Sequence, residues 1–96
     1  MMHPTAAKLL IAAHLFIKEH GYPPSVRNVM ADTTGLRSES SVSYWRDRLE
    51  DRGWLKLPGR THGTRHYRSI VPNYQRVAFV REKGVYSVWE LKAALR

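Results

Sequence analysis

The sequence contains no cysteine, which excludes both a disulfide framework and a thiolate metal site. It is also poor in acidic residues: eight Asp and Glu stand against sixteen Lys and Arg, so the formal charge is +8 and the pI is near 10.3. Such a charge indicates a polyanionic partner, nucleic acid first of all, more readily than an acidic small molecule. The missing cysteines fit a reducing compartment, and we expect a cytoplasmic, nucleoid-associated protein.

The sequence also lacks a long apolar run. The stretch LLIAAHLFI, residues 9 to 17, is interrupted by His14 and is far shorter than the roughly 20 apolar residues of a membrane span. We therefore interpret it as a core helix and expect no membrane partner. A chain of 96 residues can form one small domain but not a core plus a separate catalytic domain.

Helical periodicity predicts a first helix from Thr5 to His20, ended by Gly21. The stretch GYPPS that follows, residues 21 to 25, indicates a firm corner, because glycine accepts a left-handed backbone and prolines cannot continue a helix. Ser25 is expected to cap a second, short helix that runs to about Asp32.

A turn, TTGL at 33 to 36, follows the second helix and has Gly35 as its left-handed residue. A third helix is predicted from a Ser38 cap to about Arg52, with Gly53 ending it. A short helix, a glycine turn and a further helix form a helix-turn-helix, in which the rigid corner fixes the angle of the last helix.

The chain then changes to strand-like patterns. Trp54 to Leu57 and His66 to Val71 are predicted to pair as a hairpin, with PGRTHGTR, residues 58 to 65, as its loop. A hairpin after the third helix is the wing of a winged helix. No acidic residue occurs from Leu57 to Arg81, so the wing is expected to contact a polyanion.

Three blocks in this order, GYPPSVRNV, GLRSESSV and RLEDRGWL, resemble the DNA-binding domain of LexA-type repressors over residues 5 to 71. The family pattern combines a G-[YM]-P-P-[ST] corner, a G-[LF]-x-S turn and an L-x-x-[KR]-G-[LIV] helix end. The resemblance implies a sequence-specific regulator of transcription, a repressor, that binds double-stranded DNA. Its third helix, about 38 to 52, would read the major groove, and its wing, 58 to 66, would contact backbone or minor groove.

The chain departs from this pattern in three ways. It holds one residue more between Ser25 and Gly35, and Arg46 stands where the family commonly has a core leucine. Trp45 is expected to supply the missing apolar contact. The resemblance also ends before the serine-lysine peptidase domain of full LexA proteins, so no self-cleavage is expected.

The predicted DNA-binding residues are Arg37, Ser38, Ser40, Ser41, Ser43, Tyr44, Arg48, Arg60 and Arg65. The resemblance implies DNA contact for the four serines and the tyrosine, although the first serine, Ser38, is favoured as a helix cap. Short hydroxyls such as that of Ser40 can donate to base edges or accept from them. The arginines of the third helix, including Arg46 and Arg52, are expected at phosphates or paired with nearby acids. Those of the wing suit a narrow minor groove.

The tail, residues 73 to 96, lies beyond the resemblance. Residues 73 to 84 fit either a helix or a strand, whereas Ser87 with Glu90 reads as a capping box before a closing helix from Val88. The predicted fold is thus mainly α with a small β-hairpin: a three-helix winged helix-turn-helix in 1 to 72 plus a C-terminal helical extension. That extension would either pack on the domain or form a homodimer.

Other functions are less well supported. No G-x-S-x-G turn, flanking acidic pair or phosphate-binding glycine loop occurs, so we expect no enzyme, no cofactor and no small-molecule substrate. His62 and His66 have H-x₃-H spacing but lack further zinc ligands, and a small nuclease using them with Tyr67 explains the residues less well than a basic wing. The alternative that stays open is a winged-helix module that binds another regulator or polymerase and has weak affinity for DNA.

Overall fold

The computed structural model describes residues 2–29, 35–56, 60–61, 64–65 and 70–91. Along the chain these residues form α1 (Pro4–His20), a 3₁₀ helix (Arg27–Val29), α2 (Glu39–Asp51), β1 (Arg60–Thr61), β2 (Thr64–Arg65), β3 (Val77–Glu82) and β4 (Val85–Glu90). The described part of the fold therefore combines two α-helices with two antiparallel hairpins.

Helix α1 lies where the sequence predicts it. His3 caps its start, because the Nδ1 atom accepts the Thr5 N–H at 3.0 Å, and Pro4 occupies the first turn, where a missing N–H costs nothing. At the other end Gly21 has φ +83°, and its N–H donates to the Ile17 carbonyl at 2.8 Å. These local signals fix both ends of the helix without help from the rest of the fold.

The predicted second helix is only a three-residue 3₁₀ turn where the structure describes it, and the predicted cap is wrong. The Ser25 hydroxyl and the Ser25 N–H both donate to Asn28 Oδ1, each at 2.9 Å, so the asparagine side chain caps the turn instead. Asparagine side chains commonly bind nearby backbone and hydroxyl groups in this way at the start of a helical turn. The rest of the predicted helix, 30 to 32, and the start of the TTGL turn lie outside the described residues.

Helix α2 follows its prediction closely. Gly35 has φ +76°, and Ser38 caps the helix by accepting the Ser41 N–H on its hydroxyl at 3.1 Å. Arg52 is the C-cap, and Gly53 follows in the left-handed region with φ +80°. The Gly53 N–H donates to the Glu50 carbonyl at 3.0 Å, and this bond closes the last turn.

A hairpin follows α2 as predicted, but its paired residues differ from the prediction. At its base, Leu55 forms an isolated bridge to Pro72, and the Lys56 N–H donates to Val71 at 2.8 Å. At its tip, β1 pairs with β2, so residues 60–61 and 64–65, predicted as loop, are strand. β-Branched threonines favour strands, which accounts for the pairing. Much of the predicted second strand, 66 to 69, lies outside the described residues.

The predicted C-terminal helix is wrong: β3 and β4 form a second hairpin, in register from Val77↔Glu90 to Glu82↔Val85. Its two-residue turn is Lys83-Gly84, with φ +52° and +80°, as a type I′ turn requires. Ser87 does not cap a helix. Its hydroxyl donates across the hairpin to the Val80 carbonyl at 3.4 Å and accepts the Trp89 indole N–H at 3.0 Å.

One apolar core joins all these parts. Its fully buried members come from α1, the 3₁₀ turn, α2, the base of the wing and β3: Ala6, Leu9, Leu10, Ala12, Ala13, Val29, Val42, Leu49, Trp54, Leu55, Ile70 and Val77. One face of the β3–β4 hairpin also packs on this core through Phe79 and Val88, which are cross-strand partners. The tail is therefore packed against its own domain through that face.

His14 lies in the seam between α1 and this hairpin. Its ring stacks on Phe79 with centroids 4.2 Å apart, and its Nδ1 atom is hydrogen-bonded to the Tyr74 hydroxyl at 2.8 Å. Burial lowers the pKa of His14 below its usual 6.5, and the charge of Lys18 lowers this pKa further. Lys18 also donates to the Tyr86 hydroxyl at 3.0 Å, which ties α1 to β4.

Candidate nucleic-acid interface

Helix α2 has one buried face and one exposed face. Val42 and Leu49 are fully buried and Trp45 packs against the core, whereas Ser40 is exposed and Tyr44 keeps 56% of its surface in solvent. The solvent-exposed Tyr44 ring and the small hydroxyl of Ser40 together form a helix face that is polar but contains little charge. That face lies in the N-terminal half of the helix.

The serines of α2 differ in how their hydroxyls are used. The Ser38 hydroxyl accepts the Ser41 N–H and donates to Ser41 Oγ at 2.9 Å, so both of its functions are used inside the cap. Ser40 is exposed, whereas Ser41 and Ser43 are half-buried. The structure thus gives Ser38 the capping role that its local sequence favours, and the predicted DNA contacts of the other three serines stay predictions.

Tyr44 is held in place by its neighbours on the helix. The Arg48 guanidinium lies over the Tyr44 ring at 5.5 Å and over the Trp45 ring at 6.0 Å, and the two rings meet edge to face at 5.4 Å. A cation over an aromatic face is attracted to it. Arg48 was expected at a phosphate or paired with a nearby acid, and the contact with Tyr44 was not predicted, although the spacing of four residues between Tyr44 and Arg48 is a signal for it.

Two ion pairs flank α2. The Arg27 Nε atom lies 3.1 Å from Glu39 Oε2 and links the 3₁₀ turn to the first residue of the helix. Arg46, only 14% exposed, places its Nε atom 3.4 Å from Asp47 Oδ1. Arg37 precedes the helix, is exposed, and forms no ion pair with a described residue. Arg37 thus presents a positive charge beside the serines.

Acidic groups on α2 are concentrated away from the serines. Asp47 and Asp51 are exposed in the C-terminal half, and the one acid at the start, Glu39, is paired with Arg27. A polyanion would therefore meet less repulsion at the N-terminal half, where the positive end of the helix dipole adds a weak attraction.

The wing brings its two predicted arginines together in the backbone, because Arg60 and Arg65 are register partners across β1 and β2. Thr61 and Thr64 form the next register pair. Arg68 and the histidines of the proposed H-x₃-H spacing lie outside the described residues.

Comparison with known proteins gives this geometry a family. The profile described as LexA DNA binding domain matches residues 5–63. The chain belongs to the LexA DNA-binding domain family. A LexA repressor of Moorella thermoacetica is 38% identical over 88 residues, which is 91% of this chain and 40% of that protein. One of Corynebacterium jeikeium is 55% identical over 40 residues, 42% of this chain and 15% of that protein.

The chain thus spans well under half the length of these LexA repressors. A LexA repressor 2 of Nocardia farcinica is 41% identical over 49 residues, 51% of this chain and 20% of that protein. No solved structure matches the chain.

Arg46 stands where the resemblance predicts a core leucine. Trp45, which was expected to supply an apolar contact here, packs against the core. Arg46 lines a pocket together with Ser25 and Val26 of the corner, its side chain is only 14% exposed, and its guanidinium reaches Asp47.

The described residues contain no group of three or more His, Cys, Asp or Glu placed to hold a metal ion. Neither described α-helix is long and apolar enough to cross a membrane.

Proposed function

We propose that this chain is a sequence-specific repressor of transcription that binds double-stranded DNA with α2 in the major groove. The observation that carries the proposal is the exposed hydroxyl and phenol face of the N-terminal half of α2, in a chain that belongs to the LexA DNA-binding family. Ser40 and Tyr44 offer hydrogen-bonding groups that both donate and accept, which suits base edges. The proposal assigns no catalytic step to the chain.

The remaining parts of the fold would position this face. The Ser38 cap and the Arg27–Glu39 pair hold the start of α2, and Arg37 lies where it could bind a phosphate. Phosphate contacts fix the register of a protein on DNA, whereas base contacts give the sequence preference. In the wing, Arg60 and Arg65 are proposed to contact the backbone or the minor groove, where arginine is favoured when the groove is narrow.

A selection from random duplex DNA tests the proposal. We expect an enriched motif, and we expect Tyr44→Phe or Ser40→Ala to weaken binding to that motif by about 1–3 kcal/mol more than binding to random DNA. Tyr22→Phe is the matched control, because Tyr22 is also an exposed tyrosine, 44% accessible, but lies at the corner after α1. A selection without enrichment, or Tyr44 and Ser40 variants that bind like the parent, would contradict the proposed reading helix.

The proposal includes a homodimer formed through the outer face of the β3–β4 hairpin. That face carries Val85, 68% exposed, and Trp89, 57% exposed, next to the half-buried Ala78 and Val80, while the opposite face packs on the core. A second copy would bury this apolar surface and place two α2 helices in successive major grooves about 34–36 Å apart. Such a dimer recognises twice as many base pairs as one copy does. The longer site is needed because a short half-site has too many competing sites in a genome.

Sedimentation of the parent chain and of the Trp89→Lys variant shows whether the chain is a dimer or a monomer. A dimeric parent and a folded, monomeric variant with weaker operator binding would support the dimer. A parent that is monomeric even on a duplex with two half-sites would refute it. A selection with no enriched motif would favour the protein-interaction module, since the same apolar face could then bind another regulator.

A further inference from the structure

A cleft lies on the flank of α2 that faces the start of α1, away from the bases in the proposed complex. It encloses about 90 Å³ and is open on one side. Its walls combine three aromatic rings, one leucine and two guanidinium groups: His3, Trp45, Trp54, Leu49, Arg48 and Arg52. No carboxylate is among the described side chains that line it.

The two arginines make the mouth of the cleft strongly positive. Arg48 and Arg52 are one helical turn apart, at a spacing where like charges repel. Neither forms an ion pair with a described residue; each instead lies over a cleft ring, Arg48 at 6.0 Å from Trp45 and Arg52 at 5.8 Å from Trp54. An anion between the guanidinium groups would relieve this repulsion and could accept hydrogen bonds from both.

The wall of the cleft also contains a hydrogen-bond donor without an acceptor. Trp54 is only 7% exposed, and its Nε1 atom is buried without a hydrogen-bond partner among the described residues. Buried indole N–H groups usually find a partner. Because this atom has almost no accessible surface, it faces packed protein rather than the open space of the cleft, and a ligand reaches it only if the Trp54 ring moves.

The aromatic walls indicate that the ligand is more than a bare anion. The His3 and Trp45 rings lie 4.5 Å apart at 33°, which leaves a flat surface on one side of the cleft. A closed cavity of about 150 Å³ takes up benzene. An open cleft of about 90 Å³ therefore suits a single ring that is partly inserted, with its charged substituent at the mouth.

We propose that this cleft binds a small planar carboxylate, an aromatic acid of about the size of benzoate. Its ring would lie against Trp45 and Trp54, and its carboxylate would accept hydrogen bonds from Arg48 and Arg52. This binding does not depend on the proposed function, because none of the interactions requires DNA.

Benzoate itself is the probe, added to the full chain at constant ionic strength and followed by the indole N–H signals in ¹H–¹⁵N spectra. We expect saturable binding with a Kd of about 1 mM or below, and a shift of the Trp54 indole N–H signal as the ligand ring comes to lie beside this side chain. Arg52→Gln should weaken binding about tenfold or more. Arg81→Gln is the matched control, because Arg81 also lies 5.8 Å from an aromatic ring, that of Tyr86, but on the tail hairpin.

Two further probes separate the parts of the proposal. Cyclohexanecarboxylate has the same charge without a planar ring, and inorganic phosphate has the charge without an apolar body. Weaker binding of both supports an aromatic acid. Phosphate that binds as tightly as benzoate would overturn the proposal in favour of a simple phosphate contact, such as the DNA backbone provides. An unshifted Trp54 signal, or equal effects of Arg52→Gln and Arg81→Gln in variants with unchanged thermal unfolding, would overturn the cleft as the site.

Discussion

Gly53, which directly follows the C-cap of α2, offers a sharp test of how tightly α2 is joined to the tail. Its φ of +80° lies in the left-handed region, and a Cβ built there would be 2.7 Å from Arg76 Nη1. Gly21, which follows α1, has nearly the same φ, +83°, but nothing lies within 4 Å of its Cβ position. Alanine at either site therefore incurs the penalty of a left-handed backbone. Only at Gly53 does the added Cβ also crowd another atom.

The shared penalty is the left-handed conformation, which costs an L-residue about 1–2 kcal/mol and is partly offset by about 0.4–1 kcal/mol from a less flexible unfolded chain. We expect Gly21→Ala to lower the free energy of unfolding by about 1 kcal/mol. Gly53→Ala must also displace the Arg76 guanidinium. The Arg76 N–H is held by the Asn73 carbonyl at 2.8 Å, so only the side chain moves, and shifting the far end of a flexible side chain costs about 0.5–1.5 kcal/mol. The total for Gly53→Ala is then about 1.5–2.5 kcal/mol.

Urea denaturation followed by tryptophan fluorescence measures both losses, because the chain has three tryptophans, and the denaturant slope should stay unchanged. Adding Arg76→Ala to Gly53→Ala should recover part of the loss, with a coupling energy of about 1 kcal/mol or more. Equal losses for the two glycine variants, or no coupling to Arg76, would show that the guanidinium withdraws freely and that the close packing has no energetic weight.

Three further predictions concern charge. Binding to duplex DNA should weaken steeply as salt rises, because phosphate contacts release counterions; a titration at several salt concentrations that shows little change would refute the phosphate contacts. Substituting Arg60 or Arg65 by alanine should weaken binding to operator and random DNA about equally in competition assays, unless the wing reads a narrow A·T minor groove, which would appear as a larger loss on the operator. The lowered pKa of His14 means that the folded state resists its protonation, so the free energy of unfolding should be fully maintained above pH 6.5 and should fall as the pH drops below it. His14→Gln should lack this part of the pH dependence in denaturation curves, and an unchanged profile would contradict the assignment.

The two α-helices could be predicted because their ends depend on neighbouring residues alone. Gly21 and Gly53 are left-handed, and Ser38 caps α2, as their types and positions indicate. At the predicted start of the second helix, Asn28 binds Ser25 through its side chain, and the described residues form a 3₁₀ turn there.

The tail shows how tertiary contacts can override a local signature. Ser87 and Glu90 have the spacing of a capping box, but the turn at Lys83-Gly84 brings β4 beside β3, and the Ser87 hydroxyl then finds a partner across the hairpin. The aromatic contact between Phe79 and His14 of α1 adds to this arrangement. No window of sequence around the capping box contains that contact, since the two rings come from distant parts of the chain.

Part of the candidate interface was predictable because it depends on the local pattern of one helix. The exposure of Tyr44 and the buried position of Val42 follow from helical periodicity alone. The cleft could not be predicted, because it needs His3 from the start of the chain to lie beside Trp45 and close to Trp54. Its two arginines appear in the sequence only as members of a charged helix.

In α2 the residues that anchor the helix are separate from the exposed residues, and this separation bears on how such a domain could come to bind new DNA sequences. The residues that anchor the helix, Ser38 as its cap and Val42 and Leu49 in the core, are distinct from the exposed Ser40 and Tyr44. Exchanging the exposed set leaves the anchoring contacts untouched, and surface substitutions away from such contacts usually change stability by no more than about 0.5 kcal/mol. If α2 reads DNA bases as proposed, a change of DNA preference through these residues would carry almost no folding penalty. A library randomised at the exposed positions of α2 is accordingly a practical route to domains with altered operators.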